Sequence, residues 1–257
     1  YKIGNKLELV ISLKEESAIN KSGRVFLKKF CEDNQIDFLM VENINDNICQ
    51  EKIKQYEIDW LFIIGWSQIA KLNILNAPKL GVIGAHPTLL PQGRGRASIP
   101  WAIIKSLNYT GVSFFVMDEG VDTGKILDQK KIKLSFNESA SSLYKKVVEA
   151  HMEIISKLIP NLINSKVNFI QQDESKASYW PERKPKDGEI NLSGSVYEAE
   201  RLIRATTRPY PGAFFLKNSK KIIIWKARIL KNNLDCYSDD QIIKFKDGIL
   251  YLEDITL

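Results

Sequence analysis

Short apolar runs alternate with helix-patterned segments roughly every 20–25 residues through the first half of the chain, and that rhythm leaves few architectures open. Leu7–Leu13, Asp37–Val41 and Asp59–Gly65 read as strands, with helices expected over Lys21–Asp33, capped by Ser22, and over Asp46–Tyr56. The 59–65 run, DWLFIIG, is apolar enough to be buried on both faces. Strand–helix–strand repeats of this kind wind a parallel sheet with crossover helices. The expected fold class is therefore α/β, a Rossmann-like, mostly parallel sheet with a small β-rich C-terminal domain. No Gly-x-Gly-x-x-Gly follows an early strand, so the sheet carries no nicotinamide signal.

The stretch from Leu80 to Asp122 carries most of the chemistry. LGVIGA is a strand of small and β-branched residues, and His86-Pro87 ends it because the residue before proline avoids helical geometry. In an open α/β sheet the carboxyl ends of the strands border the ligand crevice. A helix over Ile99–Leu107 and a strand over Thr110–Met117 follow, and then the turn-prone loop DEGVDTG presents Asp122. One histidine and one carboxylate are thus expected from the ends of two successive strands. Gly65-Trp66-Ser67-Gln68-Ile69 ends the preceding strand and should border the same crevice, with Trp66 either a pocket wall or a core aromatic.

Downstream, Lys125–Leu134 is an extended arm and Ser139–Asn164 the longest helix, which carries His151, a half-buried or surface helix residue rather than a catalyst. The polar run 171–188 reads as a surface linker, and a helix over Ser193–Thr206 and four short strands follow it, with Lys246-Asp247-Gly248 as a hairpin turn. The expected division is a Rossmann-like domain over 1–170, a linker over 171–192 and a small helix-plus-β domain over 193–257.

Composition narrows the function classes. No run approaches the ~18 apolar residues of a membrane helix, and the opening YKIGNK has neither an initiator Met nor a signal-peptide core. The expected address is cytoplasmic. Cys31, Cys49 and Cys236 fit neither a disulfide framework nor a zinc site, and with only two histidines no metal site is expected. The net charge of +6 is scattered lysine without a dense basic block. No Gly-x-Ser-x-Gly elbow or matched cysteine accompanies the His–Asp pair. General acid–base work remains: Asp122 orients His86, and His86 takes a proton from an attacking amine or hydroxyl. The alternative is that His86 merely ends the strand and Asp122 merely makes the turn.

GVIGAHPTLLP with Arg94-Gly95-Arg96, and then Gly120-Val121-Asp122-Thr123-Gly124, resembles the folate-dependent formyltransferase family, over the span from Trp60 to Trp225. The resemblance implies an N-formyltransferase with 10-formyltetrahydrofolate as donor and a primary amine as acceptor. It matches His86 and Asp122 to the family's catalytic pair. It also implies a pterin site between Gly65, Trp66 and Ile69 on one loop and Met117, Asp118, Gly120 and Val121 on the other. Two departures stand out. The family's Asn two residues before the histidine is Gly84 here, which leaves the oxyanion donor to be replaced; Gln68, reaching into the space Gly84 leaves, is the expected substitute. A strand and helix that the family places ahead of a segment like Leu7–Leu13 are expected to be missing or truncated.

The motifs from Ser178 to Phe215 resemble the transfer-RNA and sugar branches of the family. After Gly212 the chain carries Asp235, Asp239, Asp240, Asp247, Glu253 and Asp254, an acidity that suits a phosphate backbone poorly and disfavours nucleic acid. A nucleotide-linked amino sugar, as in surface-polysaccharide synthesis, is the favoured acceptor. Arg94, Gly95, Arg96, Trp101, Arg204 and Tyr210 are the expected substrate contacts. The competing readings are a methionyl-tRNA formyltransferase-like enzyme and a non-catalytic binder of folate or sugar nucleotide; a homodimer is left open.

Overall fold

The structure, a computed structural model, describes residues 7–18, 23, 25–230 and 238–256. Cys236, Asp235 and the expected cap Ser22 lie outside the described residues.

In chain order the elements are β1 (Leu9–Leu13), α1 (Glu15–Ala18), α2 (Lys28–Asp33), β2 (Asp37–Val41), α3 (Asn47–Gln55), β3 (Trp60–Ile64), α4 (Leu72–Leu75), β4 (Gly81–His86), β5 (Arg94–Gly95) and α5 (Ser98–Ile104). Then follow β6 (Tyr109–Val116), β7 (Ile126–Lys133), α6 (Ala140–Ile163), β8 (Tyr179–Trp180), α7 (Val196–Thr206), β9 (Ala213–Lys217), β10 (Lys220–Leu230), β11 (Ile242–Phe245) and β12 (Gly248–Thr256). Among the described residues no helix is long and apolar enough to cross a membrane. The chain divides into two compact units, one of residues 1–94, 112–130 and 151–177, the other of residues 95–111, 131–150 and 178–257.

The first unit is a Rossmann-like α/β layer. β1 pairs parallel with β2, and β3 parallel with β4. Val41, Cys49, Ile53, Ile74 and Val82 are buried in one cluster against which Ile11, Leu61 and Ile63 pack. Burial pushes the Cys49 thiol up to about 11, as expected of an inert core cysteine. β3 is half-buried along its length and ends on an exposed residue, so its apolar run does not mark a strand covered on both faces. β6 runs antiparallel to β4, with Gly84 opposite Phe115 and His86 opposite Ser113. The carboxyl end of β6 therefore lies toward the start of β4, where the Met117 N–H donates to the Val82 carbonyl. The loop after β6, not the strand end itself, must carry Asp122 back to His86.

In the second unit β9, β10, β12 and β11 form an antiparallel sheet in the spatial order 11-12-10-9. α7 lays Val196, Ala199 and Ile203 on its inner face against Ile224, Leu250 and Leu252. Ser195 caps α7 by accepting from the Tyr197 N–H, and Asp247 in the hairpin turn accepts from Ser195 Oγ and the Val196 N–H.

Candidate active site

His86 is the last residue of β4, with its side chain on the face shared by Val82 and Gly84. The loop that follows is fixed from across the sheet. Ser113, opposite His86, donates to the Thr88 carbonyl at 2.7 Å and accepts from the Leu90 N–H at 3.0 Å, while Gln129 Nε2 donates to the Leu90 carbonyl and to Ser113 Oγ. This loop turns the Gly93 carbonyl toward the imidazole, 2.7 Å from Nε2.

A carbonyl only accepts, so that contact assigns the ring proton to Nε2 and leaves the Nδ1 lone pair facing Asp122, whose Oδ2 is 3.5 Å away. Both groups are nearly buried, and the separation exceeds hydrogen-bonding distance. Gly93 rather than Asp122 therefore orients the ring. Two acceptors therefore face each other across a short gap that an N–H donor can bridge.

The loop that brings Asp122 is built for a tight reversal. Asp118 Oδ1 accepts from the Gly120 N–H at 3.1 Å and from Thr123 Oγ1 at 2.6 Å. A Cβ at Gly124 would lie 1.7 Å from the Val116 carbonyl oxygen, so only glycine lets the chain double back there. Asp122 itself is left-handed, at φ 57°.

Several expected contacts are placed differently. Gln68, the expected oxyanion donor, is engaged away from His86: its Nε2 donates to the Glu42 carbonyl at 2.8 Å, and its Oε1 accepts from the Ile44 N–H and from Trp66 Nε1. Nor does Gly84 leave a space to fill, because a Cβ there would meet Phe115 Cζ at 2.9 Å and Met117 Cγ at 3.0 Å. Arg94 is 0% exposed and no surface phosphate ligand. Its guanidinium donates to Gln172 Oε1 and to both Glu174 oxygens, and this holds the Glu174 carboxyl below its usual range. Gly95 is required by packing, since a Cβ would stand 2.5 Å from the Trp180 carbonyl oxygen.

Arg96 pairs with Glu182 in the open, and Trp101 donates Nε1 to the Pro181 carbonyl with the Arg183 guanidinium 5.0 Å above its ring. Arg204 is held by Glu200 and by the Glu138 carbonyl, and it lines a cleft of about 1470 Å³ with Phe136, Arg201 and Trp225. Burial, with the nearby Tyr144 adding to it, pushes the Tyr210 phenol up. His151 sets its ring edge-on to Phe114, a packing role.

The two loops expected to hold the pterin have different characters. Gly65 has open space around its missing Cβ, and Ile69 and Val121 are exposed apolar side chains. Trp66 and Met117 pack on the same core cluster, each only partly buried. The residue the sequence reading missed is Gln172, hidden in the polar run 171–188 yet 4% exposed and bonded to both loops around His86.

Residues 13–159 match the family described as Formyl transferase, and residues 183–255 match Formyl transferase, C-terminal domain. The chain belongs to the formyltransferase family. This family member is 36% identical over 228 residues to the bifunctional polymyxin resistance protein ArnA of Wigglesworthia glossinidia brevipalpis, covering 89% of the chain and 35% of ArnA. It is 32% identical over 197 residues to the methionyl-tRNA formyltransferase of Lachnospira eligens, covering 77% of the chain and 62% of that protein. The chain thus spans less than two thirds of the length of either curated relative. Its fold also matches that of WlaRD, described as a sugar 3N-formyl transferase in the presence of dTDP and 5-N-formyl-THF, with a TM-score of 0.66 and 24% identity over 95% of this chain and 86% of that one.

Proposed function

We propose that the chain is an N-formyltransferase that moves the formyl group of 10-formyltetrahydrofolate to the primary amine of a nucleotide-linked amino sugar. The observation that carries this reading is the imidazole held by Gly93 with Nδ1 turned to Asp122. The folate co-substrate supplies the formyl group as an electrophilic carbon on nitrogen. The open ground at Gly65 and the exposed Ile69 and Val121 fit its flat ring.

His86 Nδ1 takes the proton that the amine loses as it attacks, Asp122 balances the imidazolium that results, and the imidazolium returns that proton to the folate nitrogen as its bond to the formyl carbon breaks. The Nε2–H bond to Gly93 persists through the transfer, because that proton never moves. With Gln68 committed elsewhere and Gly84 covered, the new Nδ1–H is the donor this chain offers to the developing oxyanion.

Two observations favour a sugar nucleotide over transfer RNA. Four basic side chains of the C-terminal unit are ion-paired: Lys217 with Asp240, Arg208 with Asp254, and Lys226 and Arg228 both with Glu253. Ion-paired cations release few counterions from a phosphate backbone. WlaRD, of the same fold, is described with dTDP. Arg96 and Trp101 are the retained candidates for nucleotide contact. Formyl transfer to dTDP- and UDP-linked amino sugars, set against methionyl-tRNA in one competition assay, tests the choice; preferential formylation of the tRNA overturns it.

A further inference from the structure

The imidazole lies between two loops, bonded to one through the Gly93 carbonyl and facing Asp122 of the other, and one buried side chain ties those loops together. Gln172 Oε1 accepts from Arg94 Nη2 at 2.8 Å and from Nε at 3.2 Å. Its Nε2 donates to the Asp122 carbonyl at 2.9 Å and to the Gly124 carbonyl at 2.7 Å. Arg94 immediately follows Gly93, whose carbonyl holds His86 Nε2. The contacts therefore close a ring: His86 to Gly93, Arg94 to Gln172, Gln172 to the backbone of Asp122, and the Asp122 carboxylate back to His86.

The amide is uniquely oriented. A guanidinium only donates and a carbonyl only accepts, so exchanging the oxygen and nitrogen of Gln172 would turn all four contacts repulsive. Its place is also set independently of the loops it joins. Ile170, two residues earlier, exchanges both backbone hydrogen bonds with Ile126 at 2.8 and 2.9 Å, which anchors the segment to the start of β7. Asp118 holds the first half of the Asp122 loop; Gln172 holds the second half, including the left-handed residue 122.

We propose that Gln172 is a positioning residue of the transfer: it sets the distance between the Asp122 carboxylate and His86 Nδ1 while bracing the loop that fixes the Nε2 proton. The inference rests on the proposed formyl transfer. It predicts a particular asymmetry between the two ends of the amide. In Gln172→Glu the carboxylate keeps Arg94 as partner but has no N–H for the carbonyls of 122 and 124 and repels them. Gln172→Met removes both connections at similar volume without adding charge.

The test measures kcat and the KM for each substrate in the parent, Gln172→Glu, Gln172→Met, Asp122→Asn, the double variant Gln172→Glu/Asp122→Asn and His86→Asn, each normalised to folded protein by near-UV circular dichroism. The expected result is a kcat lower by about tenfold or more in Gln172→Glu with KM values within about threefold, the mark of an interaction used in the transition state. In the Asp122→Asn background the same change should cost less than about threefold, because Gln172 acts through Asp122 and contacting residues are not additive. Gln172 variants within about twofold of the parent, costs that multiply in full, or failure of both variants to fold overturn the inference. If His86→Asn is silent while both Gln172 variants are fully active, only the inference falls. If His86→Asn stays active, the functional reading falls first.

Discussion

Replacing Gly84 by the family's asparagine is expected to harm this protein rather than complete it. The residue sits in β4 directly opposite Phe115, and that ring leans over the bare Cα. An added Cβ would stand 2.9 Å from Phe115 Cζ, 3.0 Å from Met117 Cγ and 3.1 Å from Phe115 Cε1. Carbon atoms settle at about 3.5–4.0 Å, so three contacts are each short by roughly half an ångström or more. Phe115 cannot swing away freely, because it is buried against Leu90 and Ile126.

Overpacking of this kind costs about 1–3 kcal/mol, so Gly84→Ala should lose that much. Gly84→Asn should lose about 1–3 kcal/mol more, from a carboxamide enclosed without matched partners. At ~2–4 °C per kcal/mol for a chain of this size, calorimetry should show Gly84→Ala melting below the parent and Gly84→Asn lower still. Phe115→Leu in the Gly84→Asn background should recover part of the loss, because the shorter side chain vacates the ring tip. The reasoning is refuted if Gly84→Asn is as stable as the parent and its formyl transfer is about a hundredfold faster, the gain expected from restoring one oxyanion donor.

Three further outcomes are expected. His86→Asn and Asp122→Asn should keep the parent's thermal midpoint within a few degrees while lowering kcat by ~10²–10⁴-fold, the usual worth of a general base; steady-state kinetics beside a melting curve checks both. Arg94→Ala should act as a stability variant, losing about 1–3 kcal/mol as the buried Gln172 oxygen is stripped of its donors; a selective rise in KM for the nucleotide sugar would restore the phosphate-binding role. Glu138 is pushed up by burial but held lower overall by its bonds to Lys146, Ser142 and Ser135. Its folded pKa thus lies below 4.5, so its contribution is complete at neutral pH and is lost as the pH falls through and below that value. The stability gap between the parent and Glu138→Gln, read by urea melts, should close in that window and stay constant from pH 6 to 8.

What the sequence made legible follows from where its signals are local. Alternation of apolar runs and proline punctuation place β3, β4 and α3 within a residue or two, and the His86-Pro87 boundary falls at the end of β4. The direction of β6 was not legible, because an antiparallel partner has the same apolar pattern as a parallel one. The partners of Arg94 and Gln68 were not legible for a related reason. A side chain's charge or amide is visible in sequence, but the partner that consumes it comes from residues far along the chain: residue 174 for one, residues 42 and 44 for the other. Gln172 carries no periodic signal at all in its polar run. Its importance arises only when Ile170 docks on Ile126.

The most direct test of the account is the mass of a nucleotide-linked amino sugar after incubation with the protein and 10-formyltetrahydrofolate, run beside His86→Asn. The account predicts one added formyl group with the parent and none above background with the variant in the same time. An unchanged sugar with the folded parent across dTDP- and UDP-linked amino sugars, or equal formylation by His86→Asn, would contradict it.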